Sequence, residues 1–264
     1  MRRRAVLVSL ALSAALTLVT ATPAAAAASD LDYVALGDSY SSGVGATGQI
    51  GLCLRSSNAY PGLWAARNHP KTYRSVACGG ATTDTLRSTQ LWPLSSRTDL
   101  VSLTIGGNDV GFASTMITCT LVDDAGCQAA VDEATDVGEN ELPPKLDATY
   151  AAIARRAPNA RVLVLGYPLL FDETATSCGF AGLSVTKRRA INEGDRRLNA
   201  VIEERAEAAG FVYVNVMDDF AGHGACAPQP WINGLVILPP TNSFHPNGDG
   251  YRYGYLPAMA GAVS

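Results

Sequence analysis

Short strand-like runs alternate with longer helical patterns through most of the chain. The helical pattern is clearest where Leu146, Tyr150 and Ile153 recur with the spacing of one apolar helix face. Strands separated by helices need crossover connections, which favour a parallel sheet covered on both faces. The pattern therefore predicts a doubly wound α/β domain, with ligands bound at the carboxyl ends of the strands. The predicted strands are residues 33–36, 73–77, 100–105, 161–165 and 211–216.

The N-terminal segment has a composition unlike that of the rest of the chain. Three arginines at residues 2–4 precede an apolar stretch at residues 5–19, and alanines run up to Ala28. This order of basic, apolar and small residues is typical of a secretory signal peptide. A membrane anchor is the alternative, but it needs ~20 continuous apolar residues, and threonine, serine and proline interrupt this stretch. We expect cleavage near Ala27 or Ala28, export to the extracellular space, and a single domain at residues 29–264.

The charge balance argues against several kinds of partner. After removal of the three N-terminal arginines, 17 Lys and Arg face 24 Asp and Glu. Proteins that bind nucleic acids rely on clustered Lys and Arg, so we expect no nucleic-acid partner. No later segment is apolar enough to span a bilayer, so we expect no stable membrane anchor. A chain of this length can bury a sufficient core by itself, and we expect a monomer.

Six cysteines follow the predicted signal peptide. An even number of cysteines in an exported chain predicts disulfides. A zinc site is the alternative, but the chain has no CxxC motif and its three histidines are scattered. Six cysteines allow 15 pairings, and we favour the sequential one because each pair then brackets one loop-rich stretch. The predicted pairs are Cys53 with Cys78, Cys119 with Cys127, and Cys178 with Cys226.

Residues suited to nucleophilic catalysis follow three of the predicted strands. Ser39, in Gly37-Asp38-Ser39, lies at a turn where a strand meets a helix, and such a turn can expose a serine hydroxyl. Gly80 follows the second strand, and glycine lets a backbone N–H approach a ligand oxygen. Asn108 follows the third strand, and its amide can donate to an oxyanion. Taken separately, these residues have structural alternatives, namely a helix cap, a tight turn and an Asn-Asp turn.

The three histidines are the candidates for a general base. His69 and His223 lie in connections that we expect at the surface. His245 follows the last predicted strand and precedes a C-terminal helix, whose first turn Pro246 suits. A histidine can take the Ser39 proton and return it to a leaving alcohol. Position therefore favours His245 as the base.

Four blocks in this order resemble the SGNH, or GDSL, hydrolase superfamily. The blocks are Gly37-Asp38-Ser39, Cys-Gly-Gly-Ala-Thr around Gly80, Gly106-Gly107-Asn108-Asp109 and His245-Pro246. The chain is similar in particular to secreted streptomycete lipases and esterases, also at residues 33–43, 58–61, 104–109, 157–162 and 254–257.

The resemblance implies a three-layer flavodoxin-like α/β fold with a central, mainly five-stranded parallel sheet and loop disulfides. It also implies a carboxylic-ester hydrolase that uses no metal and no organic cofactor and acts on an ester or lipid. Ser39 and His245 would be the catalytic residues, and Ser39, Gly80 and Asn108 would form the oxyanion hole.

The chain departs from many members of this superfamily three residues before the histidine. Many members have an aspartate there that completes a catalytic triad, whereas this chain has Asn242. By resemblance to members that use a Ser-His dyad, we infer that the main-chain carbonyl of Ser243 accepts the ring N–H of His245. That hydrogen bond would fix the tautomer of the imidazole.

Several substrate classes stay open at the level of the sequence. Triacylglycerols, phospholipid acyl esters and small soluble esters all suit the same chemistry. A polysaccharide acetylesterase is an alternative, because Trp64, Trp92 and Trp231 are residues that stack on sugars, although tryptophan also serves in cores and pockets. A catalytically silent secreted binding protein is a remote alternative, since such a protein need not keep nucleophile, base and oxyanion donors together.

We predict that Asn242→Ala changes turnover of a soluble ester by less than about threefold, because a backbone carbonyl and not this side chain orients His245. Steady-state kinetics of the purified variant checks this. A loss of about 10³-fold or more, as expected for the third member of a full triad, would contradict the dyad.

Overall fold

Five parallel strands form one sheet in the computed structural model, which describes residues 29–178 and 183–263. The strands are β1 (Ser29–Ala35), β2 (Pro70–Ser75), β3 (Leu100–Leu103), β4 (Arg161–Leu165) and β5 (Val212–Val214). Their order is β2-β1-β3-β4-β5, and every neighbouring pair is parallel. The chain thus moves from β1 to one side and then returns to build the other side. The prediction of a doubly wound parallel α/β domain is confirmed, and the predicted signal peptide at residues 1–28 lies outside the described residues.

The helices form two groups, one on each face of the sheet. They are α1 (Ser39–Ser42), α2 (Tyr60–Asn68), α3 (Thr83–Thr89), α4 (Phe112–Leu121), α5 (Asp124–Asn140), α6 (Leu142–Arg156), α7 (Val185–Ala208) and α8 (Leu256–Val263), with a 3₁₀ turn at Pro240–Asn242 and a π-helical segment at Gly250–Tyr255. Helix α2 packs with α8 and the π-helical segment, whereas α3, α5, α6 and α7 pack with one another. The result is a three-layer sandwich. Among the described helices, none is long and apolar enough to cross a membrane.

Two boundaries differ from the sequence prediction. Strand β2 begins at Pro70 and ends at Ser75, whereas an apolar run predicted residues 73–77. This strand lies at the edge of the sheet with largely exposed side chains, so its pairing with β1 sets its length. The C-terminal helical segment does not start at Pro246. Asn247 accepts hydrogen bonds from the N–H groups of Asp249 and Gly250, because its short polar side chain reaches these free donors.

Three disulfides connect the six cysteines in sequential pairs. They join Cys53 to Cys78, Cys119 to Cys127, and Cys178 to Cys226, so no cysteine is free in the part of the chain that the structure describes. The first disulfide ties the loop after α1 to the turn after β2. The second joins the end of α4 to the start of α5. The loop after α1 and the junction of α4 with α5 are therefore covalently anchored.

Helix α7 buries a carboxyl group that lacks part of its hydrogen bonding. Asp195 is only 8% exposed. Its carboxyl group accepts a hydrogen bond from the backbone of Leu170, but Oδ2 has no hydrogen-bond partner among the described residues. Burial raises the pKa of Asp195 to about 7, because an apolar environment penalises the charged form.

We predict that Asp195→Asn stabilises the protein more at pH 8 than at pH 5. A carboxyl group with a raised pKa stabilises the fold while it is protonated, and this contribution is lost as pH rises from 3.8 through about 7. Asparagine does not titrate. The free energy of unfolding of the variant, relative to the parent protein, should therefore rise by about 2–3 kcal/mol between these pH values. Urea unfolding at both pH values measures it.

The matched control is Asp132→Asn, which removes an exposed carboxylate from the neighbouring helix α5. Its stability relative to the parent should be the same at both pH values. If the free energy of unfolding of Asp195→Asn relative to the parent were instead the same at pH 5 and at pH 8, that result would show that this carboxyl group stays ionised in the folded protein.

Candidate active site

A single buried carboxyl group connects three strand ends at the carboxyl edge of the sheet. Asp38, after β1, accepts hydrogen bonds from the Thr104 hydroxyl after β3 (2.6 Å) and the Tyr167 hydroxyl after β4. It also accepts from the Tyr40 N–H (3.0 Å) and so caps α1. Burial raises the pKa of Asp38 to about 6, while the hydrogen bonds from Thr104 and Tyr167 act in the opposite direction. This network sets the position of the next residue, Ser39.

The turn before Ser39 is held on two sides. Gly37 has φ +117°, and a Cβ there would lie 2.4 Å from the carbonyl oxygen of Thr104, so only glycine fits. The buried Gln90 side chain accepts from the Gly37 N–H (2.7 Å) and donates to the Gly37 carbonyl (2.9 Å). Ser39 is thereby fixed as the first residue of α1, at the amino end of the helix. Its side chain faces the loops that follow the other strands.

The structure brings Ser39 and His245 together from 206 positions apart in the sequence. The Oγ of Ser39 lies 2.7 Å from Nε2 of His245. On the other side of the ring, Nδ1 lies 2.8 Å from the carbonyl oxygen of Ser243, the carbonyl named from the sequence. The Asn242 side chain points elsewhere, because its Oδ1 accepts a hydrogen bond from Gln49 (2.9 Å). A carbonyl can only accept, so Nδ1 carries the ring proton and Nε2 presents its lone pair to Ser39.

Helix α1 also positions the histidine. The Tyr40 hydroxyl donates to the carbonyl of Phe244 (2.7 Å), and the Tyr40 ring lies 5.0 Å from the imidazole, centroid to centroid. Phe244 has φ +59°, a left-handed conformation that is costly for a side chain of this size. Its backbone is therefore held by its contacts, and the kink directs His245 towards Ser39.

Burial lowers the pKa of His245 to about 4, and the hydrogen bond to Ser243 only partly opposes this. The imidazole is therefore neutral at pH 7. A neutral imidazole with its lone pair towards a serine hydroxyl is the state in which histidine accepts a proton.

Three residues that carry N–H donors line the cleft together: Ser39, Gly80 and Asn108. The backbone N–H groups of Ser39 and Gly80 have no hydrogen-bond partner among the described residues. Asn108 donates one amide hydrogen to the carbonyl of Ala81 (2.9 Å), which leaves the second hydrogen free. Gly80 has φ +79° and no atom within 4 Å of the place where a Cβ would stand, so a ligand oxygen can approach its backbone.

Asp109 holds the second and third sequence blocks in contact. Its carboxylate accepts hydrogen bonds from the N–H (3.0 Å) and the hydroxyl (2.6 Å) of Thr83, at the start of α3. The loop with Gly80 and the loop with Asn108 are thus linked directly. Both donors therefore keep their position relative to Ser39.

The site opens into an apolar cleft of about 500 Å³. Phe112, Met116 and Ile117 of α4 line one side, and the segment with Leu235 and Pro240 lines the other. Behind Ser39 lies a separate cavity of about 20 Å³, bordered by Asn108, Tyr167 and Asp195, which is room for about one water molecule.

The other residues considered from the sequence lie outside the cleft. His69 is exposed at the end of α2. His223 is half-buried rather than a free surface residue, because its ring stacks on Trp231 at 3.7 Å. Trp64 is buried against Tyr33, and Trp92 is exposed under the guanidinium of Arg74. Among the described residues, none of the three tryptophans lines the cleft, so they offer no sugar-stacking surface there.

Sequence reasoning missed the positioning residues of the site. The sequence pattern assigns Asp38 no role beyond its place beside Ser39, and it assigns none to Tyr40 or Tyr167. A usable signal existed for Tyr167, since it follows β4 at the same edge of the sheet as Ser39 and Asn108. The side chain of Tyr40 carried no comparable signal, because its partner Phe244 is 204 positions away.

Comparison with known proteins shows the family of the chain. A family model described as GDSL-like Lipase/Acylhydrolase matches residues 35–253. Lipase 1 of Streptomyces coelicolor is 48% identical over 257 residues, which cover 96% of this chain and 95% of that protein. The crystal structure of an extracellular lipase from Streptomyces rimosus is similar with a TM-score of 0.85 and 46% identity, covering 88% of this chain and 99% of that one.

A phospholipase is equally similar in structure. The crystal structure of phospholipase A1 from Streptomyces albidoflavus NA297 matches with a TM-score of 0.84 and 44% identity, covering 87% of this chain and 98% of that one. The family model and these relatives all span most of the chain. The chain therefore belongs to the GDSL-like lipase/acylhydrolase family and is an ester hydrolase.

Proposed function

We propose that the protein is a secreted carboxylic-ester hydrolase that uses a Ser39-His245 dyad and an acyl-enzyme intermediate. The observation that carries this proposal is the pair of contacts on the imidazole, 2.7 Å from Nε2 to Ser39 and 2.8 Å from Nδ1 to the Ser243 carbonyl. In the first step, Nε2 takes the hydroxyl proton while Oγ bonds to the carbonyl carbon of the ester. The electron pair of the C=O bond moves onto oxygen and forms an oxyanion.

The oxyanion would be bound by the N–H groups of Ser39 and Gly80 and by the Asn108 amide. All three are uncharged donors, already oriented before the reaction, and loss of one such donor costs on the order of 2.7–4 kcal/mol in transition-state binding. When the intermediate collapses, the bond to the alcohol breaks and His245 gives its proton to the leaving oxygen. Water then attacks the acyl-enzyme, with His245 again as the base, and restores the Ser39 hydroxyl.

The cleft favours an acyl chain as the group bound beside Ser39. Its volume of about 500 Å³ and its apolar α4 wall suit a chain of several methylene groups better than an acetyl group. Phospholipid acyl hydrolysis is the second candidate, and the similarity to phospholipase A1 from Streptomyces albidoflavus favours it. Lipase-type and phospholipase-type activity need the same reacting groups, so they differ in how the rest of the lipid is bound.

Residues 29–264 would form the secreted hydrolase domain, after removal of residues 1–28. Three disulfides and the extracellular Streptomyces rimosus relative support this location. The domain would act as a monomer, without nucleic acid.

We predict that Ser39→Ala lowers hydrolysis of p-nitrophenyl octanoate by at least 10³-fold, because no nucleophile then remains. Ser114→Ala, an exposed serine on α4, is the matched control and should keep its activity within about twofold. The same two proteins and the parent are compared on acyl esters from C2 to C12, on triglyceride and on phosphatidylcholine. Higher activity on acetylated xylan than on C8–C12 esters would contradict the proposed acyl-chain specificity.

We predict that kcat/KM for a soluble ester is half-maximal near pH 4 and falls about tenfold per pH unit below it, because the base must be unprotonated in the free enzyme. Chromatographic measurement of the released alcohol between pH 3 and pH 8 tests this, with recovery of activity at pH 7 as the control for unfolding. A midpoint near pH 6.5, the ordinary pKa of an imidazole, would contradict the lowering of the His245 pKa by burial.

A further inference from the structure

Large exposed apolar side chains are concentrated around the mouth of the cleft. Of the eleven large hydrophobic residues exposed among the described residues, eight lie in the three segments 50–52, 117–122 and 235–238. We name these three segments the apolar rim. Three of the eight, Ile117, Leu121 and Leu235, line the cleft itself. Large apolar side chains exposed beside one another in this way mark a place where another apolar surface is bound.

The first rim segment is the tip of a small hairpin. Ile50 and Arg55 exchange two backbone hydrogen bonds (2.9 and 3.2 Å), and the disulfide at Cys53 fixes the hairpin to Cys78. Leu54 lines the cleft, whereas Leu52 at the tip is 101% exposed. The hairpin therefore holds Leu52 at the entrance, on the side of the loop that contains Gly80.

The other two segments face the entrance from α4 and from the loop that precedes His245. Ile117 and Leu121 line the cleft and yet are 61% and 78% exposed. Leu235 lines the cleft, and Ile237, two residues later, is 82% exposed. This loop is fixed to the base-bearing segment, because the N–H of Val236 donates to the hydroxyl of Ser243 (2.9 Å).

The stretches of chain that carry the rim are also free of formal charge, and the charged residues nearest to the first two rim segments along the chain, Arg55 and Asp123, come directly after these stretches. Residues 39–54, 110–122 and 220–248 contain no Asp, Glu, Lys or Arg. No ion would have to be desolvated when these segments contact an apolar medium, and desolvation of an ion is costly. No lysine or arginine is present there to bind an anionic surface, and the hydrolase domain as a whole carries 17 basic against 24 acidic residues.

We propose that the apolar rim docks the enzyme on the surface of a phospholipid bilayer without net charge, with the cleft entrance against the lipid. The rim is continuous with the cleft wall at Ile117, Leu121 and Leu235, so a lipid acyl chain can pass from the bilayer to Ser39 without crossing water. This proposal rests on the proposed function for its purpose, but the docking itself does not require a reaction.

Binding to phosphatidylcholine vesicles tests the proposal, with residues 29–264 as the Ser39→Ala protein so that no lipid is hydrolysed. The rim variant is Leu52→Ser with Ile237→Ser, two exposed residues that do not line the cleft. Trp92→Ser is the matched control, since Trp92 is 61% exposed but outside the rim. We expect vesicle affinity to fall at least tenfold for the rim variant and to change less than twofold for the control.

The same rim substitutions in the protein with Ser39 should leave hydrolysis of a soluble ester within twofold. Activity on phosphatidylcholine vesicles should fall with their binding. If Ser39→Ala proved as active as the parent protein, the proposed function would fail while the vesicle-binding result would still stand. Leu52→Ser and Ile237→Ser are also made singly, and the thermal unfolding of each protein is measured. A variant that binds vesicles weakly but unfolds at the temperature of the parent has lost docking and not folding.

Two outcomes would overturn the proposal. One is equal vesicle binding by the rim variant and the parent. In that case light scattering would be used to ask whether the parent is a dimer that the same substitutions dissociate, which would identify the rim as a contact between two copies. The other is tighter binding to phosphatidylglycerol than to phosphatidylcholine vesicles at low salt, since this would show that charge and not the apolar rim leads docking.

Discussion

The active site is built on one buried carboxyl group, Asp38, and on the hydrogen bonds that compensate for its burial. Three loops after β1, β3 and β4 converge on it through Asp38 itself, Thr104 and Tyr167. The Tyr167 hydroxyl also accepts the N–H of Gly107 (3.0 Å), so the loop that carries Asn108 is connected to the same network. A buried carboxylate is costly when unpaired, and such a network is therefore cooperative: each partner is needed by the others. Ser39, the proposed nucleophile, and Asn108, a proposed oxyanion donor, consequently share one rigid support.

The proposed dyad depends on a second arrangement, in which Ser39 and His245 are both held by the same short helix, α1. Ser39 and Tyr40 are adjacent in α1, and Tyr40 binds the backbone of Phe244 directly before His245. This contact and the backbone hydrogen bonds of Phe244 and His245 with Asn233 hold the left-handed backbone of Phe244. They explain how a loop can hold an imidazole 2.7 Å from a serine. A carbonyl is a weaker partner for imidazolium than a carboxylate, and burial further favours the neutral ring. Both effects keep the imidazole of His245 unprotonated at neutral pH.

The loops that border the cleft differ in character from the hydrogen-bond network around Asp38. The loops that border it are uncharged and apolar, yet a disulfide, a hairpin and the hydrogen bond of Val236 to Ser243 hold them in place. Loops at the carboxyl edge of a parallel sheet can change without disturbing the core, which makes them the natural place for substrate specificity. This agrees with a family in which a lipase from Streptomyces rimosus and a phospholipase A1 from Streptomyces albidoflavus share the fold.

The sequence by itself determined the parallel α/β architecture, the disulfide-forming cysteines and the identity of Ser39, Gly80, Asn108 and His245 as site candidates. These follow from local patterns: strands followed by polar or glycine-containing turns place their residues at one edge of a sheet. The extent of edge strand β2 and the role of Asp38 as the centre of a hydrogen-bond network were decided only by the tertiary structure. The tertiary structure also decided the pKa values of the buried groups, and it left Oδ2 of Asp195 without a hydrogen-bond partner among the described residues. The physical reason is that strand pairing, the Asp38 network and burial depend on which segments of the chain pack together, and on how much water their packing excludes. Neither is encoded in a local pattern.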